Sequence, residues 1–140
     1  MRRGSQLPTE IGHRLAMLGA VLDRQPSVRF AYLFGGGGRG DLRPLSDVDV
    51  AVYLDDAVDP VQARLDLIGV VTKHLGTDEV DLVTLNRAPT ALLGRILQSR
   101  RVISDKDPFL RHRFESLELR KFLDFRIFER RFLDRRFARG

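Results

Sequence analysis

The stretch from Val28 to Leu54 constrains this chain more than any other part of it. Two apolar runs, Val28 to Phe34 and Val48 to Leu54, flank a link that opens with Gly35-Gly36-Gly37-Gly38-Arg39-Gly40 and closes with Ser46-Asp47. Short apolar runs bounded by glycine and turn-forming residues read as strands. The link from Gly35 to Asp47 is too short for a crossover helix, so the two strands are expected to be antiparallel neighbours. Val48 to Leu54 is apolar at nearly every position, which predicts a strand covered on both faces. Asp47 and Asp49 stand at i, i+2, and alternation along a strand puts both carboxylates on one face.

The remaining elements follow from periodicity and punctuation. From Leu7 to Leu22, apolar residues recur at helical spacing (Ile11, Leu15, Leu18, Val21, Leu22), with Pro8-Thr9 at the start and Pro26 past the end. Asp59-Pro60 opens a second helix, Val61 to Leu75, and Gly76 stops it. Val80 to Leu85 reads as a third strand, Thr90 to Gln98 as a third helix behind Pro89, and Arg101 to Ser104 as a short edge strand. Asp107-Pro108 begins a long C-terminal helix. The expected class is α+β, a small mixed β-sheet with helices packed on one face. The 140 residues suit one domain, with a core over about 10–105 and the C-terminal helix over about 107–138.

Composition excludes several classes. No apolar run approaches the roughly 20 residues needed to span a bilayer, and the basic start Met1-Arg2-Arg3 lacks the apolar stretch of a secretory signal. The chain has no cysteine, which removes a disulfide framework and a thiolate metal site. The expected location is cytoplasmic. The net charge of +5 lies wholly in the last segment: residues 1–110 carry 14 Lys+Arg and 14 Asp+Glu, residues 111–140 carry 10 and 5. Such a tail is either a solvated helix face or a surface for an acidic partner. Direct nucleic-acid binding is not expected, because charges of both signs alternate along it.

Asp47 and Asp49 repel each other unless a cation lies between them, and an oxygen-rich site of this kind suits Mg²⁺ shared with substrate phosphates. Asp81, in the third strand, is the candidate third carboxylate, and three such acids can serve two metal ions. In the loop, glycine lets backbone N–H groups approach a phosphate closely, and Arg39 offers a permanent charge and a bidentate fork. No Lys-Ser/Thr pair follows, so this is no Walker A loop, and no helix pattern opens there as a dinucleotide fingerprint requires. The pattern suggests chemistry on a nucleoside triphosphate. Asp55 and Asp56 read as a solvated turn, and His13, His74 and His112 as structural or exposed.

Gly35-Gly36, ten intervening residues and then Asp47-Val48-Asp49 resemble the signature of the nucleotidyltransferase superfamily related to DNA polymerase beta. The string from Leu33 to Val52, with Val80-Asp81-Leu82-Val83 and Leu85-Asn86-Arg87-Ala88-Pro89, is most similar to the minimal nucleotidyltransferase (MNT) antitoxins of HEPN/MNT toxin–antitoxin pairs. The resemblance covers about residues 10–130. It implies the nucleotidyltransferase fold, with Asp47, Asp49 and Asp81 as catalytic metal ligands for two Mg²⁺ ions. It implies that Gly35, Gly36 and Arg39 hold the triphosphate of ATP, and Ser46 joins them as a nucleotide-binding candidate. The implied activity is transfer of AMP from ATP to a hydroxyl, a tyrosine in that family, of a HEPN ribonuclease toxin, which is thereby silenced. The family's serine after the first glycine is Gly36 here, which removes a hydrogen bond of about 1.5–3 kcal/mol to a charged group. That departure keeps open a binding-only antitoxin. A nucleotidyltransferase acting on a small molecule such as an aminoglycoside is the third reading.

The chain carries little beyond the catalytic unit of that superfamily, so the acceptor is expected to come from a partner protein. The C-terminal helix bears two apolar stripes, Phe114, Leu117, Phe125, Phe128, Phe132 and Leu119, Phe122, Leu123, Leu133, Phe137. They are either one broad core-facing band or one core face and one face for a partner or second subunit. If one stripe meets a partner, Phe122, Leu133 and Phe137 are the candidates for it.

Overall fold

The computed structural model describes residues 10–35 and 47–138. Helix α1 (Ile11–Asp23) leads into β1 (Val28–Phe34), and β2 (Val48–Leu54) follows the glycine-rich link. Then come α2 (Pro60–Leu75), β3 (Val80–Thr84), a 3₁₀ turn (Leu85–Arg87), α3 (Thr90–Ser99), β4 (Arg101–Asp105) and α4 (Pro108–Ala138). Local chemistry sets the ends of α2. The Asp59 carboxylate accepts the Val61 N–H at 3.1 Å, Pro60 occupies the first turn, and Gly76 closes the helix at φ +72°.

The four strands form one sheet in the order β3-β2-β1-β4. The β1–β2 and β1–β4 pairs are antiparallel, and β2–β3 is parallel, bridged by α2. The expected antiparallel β1–β2 pair and the edge position of β4 are both present. Asn86 extends the pairing past β3: its side-chain amide accepts from the Leu54 N–H at 2.8 Å and donates to the Leu54 carbonyl at 3.0 Å.

Helices cover both faces of the sheet, rather than the single face expected. One row of side chains, with Val48, Val50, Val52 and Leu54 of β2, packs on Leu18 and Leu22 of α1 and Leu67, Val71 and Leu75 of α2. The opposite row, with Phe30, Tyr32 and Ala51, packs on Leu93, Ile96 and Leu97 of α3 and on Leu110, Phe114 and Leu119 of α4. The physical reason is the one visible in β2: both alternating rows are apolar, so each needs a cover.

A buried polar cluster pins α4 to the sheet. Glu115 is 7% exposed and accepts from Tyr32 Oη at 2.7 Å, Arg100 Nε at 2.9 Å and an Arg111 guanidinium nitrogen at 3.1 Å. Burial pushes the Glu115 carboxyl up, but the Tyr32 hydrogen bond and the two arginines outweigh it and hold the group below the usual carboxylate range. Further along, the Phe122 ring sits where a Cβ on Gly94 would be, so glycine in α3 is what lets the helices touch. Phe122 is therefore core, 6% exposed, and not a partner contact as expected. From Leu123 to Arg135 every residue of α4 is exposed. Of the apolar side chains on this helix, Leu110, Phe114, Leu119 and Phe122 pack on the core, Leu117 is 47% exposed, and those from Leu123 to Leu133 face solvent. Phe137 lies outside the residues whose side chains are described.

Candidate active site

The register of the sheet brings the candidate acids together. Asp49 of β2 pairs with Phe34 of β1 on one side and with Asp81 of β3 on the other. Asp47 immediately precedes β2, two residues ahead of Asp49. Gly35, the first residue after β1, thus abuts the same end of the sheet. Asp47 and Asp81 are exposed, and Asp49 is partly buried between them. Burial, then the charge of Asp81, then that of Asp47, push the Asp49 carboxyl up to about 6. Asp49 lies within electrostatic reach of both other carboxylates, and no arginine or lysine is hydrogen-bonded to any of the three among the described residues, which makes a concentrated negative site.

Gly35 is required here for two reasons. Its φ is +62°, a backbone conformation that side chains disfavour. A Cβ at this position would also lie 2.6 Å from Asp49 Oδ2, so any side chain would displace the carboxylate. The Gly35 N–H donates to Ser99 Oγ at 3.0 Å, which ties the start of the loop to the last residue of α3. Sequence reasoning missed Ser99, because nothing in a helix-terminal serine marks a contact with a residue 64 positions away. Gly36, Arg39 and Ser46 lie outside the described residues.

Negative charge concentrated beside a glycine turn is the donor chemistry that hard divalent cations take. The acids fit such an ion by charge and oxygen donors. As they stand, no three His, Cys, Asp or Glu side chains among the described residues converge closely enough to hold a metal. His74 Nε2 donates to the Arg14 carbonyl at 2.7 Å between α1 and α2, a structural role as expected.

The profile of the family described as polymerase beta, nucleotidyltransferase, matches residues 17–109. The chain belongs to that family. The chain is 36% identical over 75 residues to protein adenylyltransferase MntA of Shewanella oneidensis, a match covering 54% of this chain and 52% of that protein. It is 31% identical to a bifunctional uridylyltransferase/uridylyl-removing enzyme of Burkholderia lata, covering 69% of this chain and 13% of that enzyme. This chain therefore spans about half the length of the MntA relative and a small part of the uridylyltransferase.

Solved structures share the fold. A chain of a toxin–antitoxin crystal structure with AMP-PNP superposes with a TM-score of 0.68 at 24% identity, covering 86% of this chain and 95% of that one. A chain from tri-AMPylated Shewanella oneidensis HEPN toxin in complex with MNT antitoxin gives a TM-score of 0.65 at 22% identity, covering 88% and 95%.

Proposed function

We propose that this nucleotidyltransferase is an antitoxin that moves AMP from ATP to a tyrosine hydroxyl of a HEPN-family ribonuclease toxin and silences it. The observation that carries the reading is the pairing of Asp49 with Asp81 on adjacent strands, with Gly35 against the Asp49 carboxylate and Asp47 beside it. It combines a phosphate-approachable turn with carboxylates that need cations. The name of the MntA relative and the AMP-PNP and AMPylated-toxin complexes among the structural neighbours support the same chemistry.

Asp47, Asp49 and Asp81 are the residues that would hold Mg²⁺, which when bound neutralises phosphate charge and lowers the pKa of an attacking hydroxyl. The chain's own contributions are distinct. Gly35 lets the triphosphate approach the backbone, Ser99 fixes that turn, and Gly36, Arg39 and Ser46 complete the nucleotide contacts. Asp81, the exposed acid on the outer strand, faces the acceptor and takes its proton. The tyrosine oxygen forms a bond to the α-phosphorus. The bond from that phosphorus to the oxygen bridging to the β-phosphate breaks, and pyrophosphate leaves with the electron pair.

The test is the intact mass of the toxin after incubation with this protein, ATP and Mg²⁺. The expected result is one or more AMP additions and loss of ribonuclease activity, both absent with Asp47→Asn/Asp49→Asn. Gly36, where the family has serine, favours a second reading in which the protein silences the toxin by contact alone. Silencing without any change in toxin mass would select it.

A further inference from the structure

Among the described residues, the two edges of the sheet differ. β4, at one end, has α1 laid against it, with Gly19 packed on the Ile103 carbonyl. β3, at the other end, borders a groove of ≈ 570 Å³ that runs from α2 on one face of the sheet, over the strand, to α3 on the other. Its apolar lining is Val61 and Leu65 of α2, Val83 of β3 and Leu92 of α3. Val61 is 67% and Leu65 57% exposed, high values for aliphatic side chains on a helix that otherwise buries its apolar stripe. Asp81 lines the same groove, so the groove opens directly onto the site proposed above.

The backbone of β3 turns a donor outward. The Val48 N–H donates to the Glu79 carbonyl, which fixes the alternation of the parallel ladder. Asp81 and Val83 therefore turn their amide groups toward β2, and Leu82 turns its own outward. The outward Leu82 carbonyl accepts Arg64 at 3.2 Å, and the Leu82 N–H has no partner among the described residues. Thr84 Oγ1, which also lines the groove, is buried with no hydrogen-bond partner among the described residues. Arg64 and Arg87 flank the groove, with no carboxylate bonded to either among the described residues.

We infer that this edge is the acceptor-docking site: an extended segment of the partner protein pairs with β3, places apolar side chains on Val61, Leu65 and Leu92, and delivers its hydroxyl to Asp81. The inference rests on the transferase reading above and adds where the acceptor lies. Strand addition to a free edge supplies affinity through main-chain hydrogen bonds and specificity through side-chain pockets. The two arginines select a segment that carries acidic residues beside the hydroxyl. Continuity of the groove with Asp81 is what distinguishes this edge from an ordinary exposed strand.

Val61→Asp/Leu65→Asp tests it, with the HEPN toxin as acceptor. Both side chains are exposed on α2, so the variant is expected to fold, checked by its circular dichroism and melting temperature. The KM for toxin should rise at least tenfold, with the affinity for ATP by direct titration within about twofold of wild type. In the wild-type protein, hydrogen exchange at the Leu82 amide should slow at least tenfold when toxin is added. If wild type transfers AMP, and the variant matches its KM with Leu82 exchange unaltered, the docking site is wrong and the transferase reading stands. If wild type transfers no AMP to the toxin, the transferase reading and the acceptor role fall together. A variant that unfolds leaves the Leu82 exchange measurement to decide.

Discussion

Replacing Asp49 with Asn should abolish AMP transfer and at the same time stabilise the folded protein. The structure sets the magnitude. Burial and two neighbouring carboxylates push Asp49 from 3.8 up to about 6, so the folded chain holds this proton more tightly than the unfolded chain does. A group raised in this way opposes folding when ionised. The penalty is absent below the unfolded value, grows between pH 3.8 and about 6, and is complete above that. A shift of this size corresponds to a ceiling of about 3 kcal/mol. The carboxylate is only partly buried, and solvent screening reduces this to roughly 1–2 kcal/mol. For a chain of this length that is about 3–10 °C in melting temperature. The assay is thermal melting of both proteins at pH 8 and pH 4 without divalent ions. The Asn variant should melt higher at pH 8, and the difference should shrink toward zero at pH 4. Adding Mg²⁺ at pH 8 should raise wild type and leave the variant unmoved. An Asn variant that melts lower at pH 8, or a difference independent of pH, would refute the argument that the three acids repel one another across the strand ends.

Three further outcomes follow from named contacts. Ser99→Ala removes the acceptor of the Gly35 N–H, a bond of about 0.5–1.5 kcal/mol, and should raise the KM for ATP several-fold with an unchanged circular dichroism spectrum. Gly35→Ala meets both the positive φ and the Asp49 carboxylate, so AMP transfer should fall at least a hundredfold while the protein stays folded, read by labelled-ATP assay beside a melt. Phe128→Ser/Phe132→Ser alters two exposed rings on the outer half of α4, stacked 6.5 Å apart, and should weaken toxin binding tenfold or more by titration without lowering the melting temperature.

Much of the fold was legible because its signals are local. β1 and β2 begin and end where the apolar runs do, and α2 is bounded by Asp59-Pro60 and Gly76, whose capping roles depend on a few adjacent residues. The short glycine link sufficed to make β1 and β2 antiparallel. The two-sided cover of the sheet was written into β2, yet which helices supply it depends on packing that sequence spacing does not encode. The stripes on α4 illustrate the same limit. Phe122 and Phe132 look alike in sequence, but only Phe122 has Gly94 opposite it. At the candidate site, the i, i+2 spacing of Asp47 and Asp49 was readable, since strand alternation follows from chain geometry alone. The pairing of Asp81 with Asp49 and the Ser99–Gly35 bond are long-range, and the second left no trace in the sequence. The Tyr32–Glu115 pair, 83 residues apart, was hidden for the same reason.

The most direct test of the account is the fate of the phosphates. This protein and the HEPN toxin are incubated with Mg²⁺ and ATP labelled at either the α- or the γ-phosphate, and the toxin is then isolated and counted. The account predicts covalent label from α-labelled ATP, none from γ-labelled ATP, and none from either with Asp47→Asn/Asp49→Asn, even though that variant still binds the toxin. Label from the γ-phosphate would make the reaction a phosphorylation, and silencing of the toxin with no label at all would show that contact alone suffices; either result contradicts AMP transfer as what this protein does.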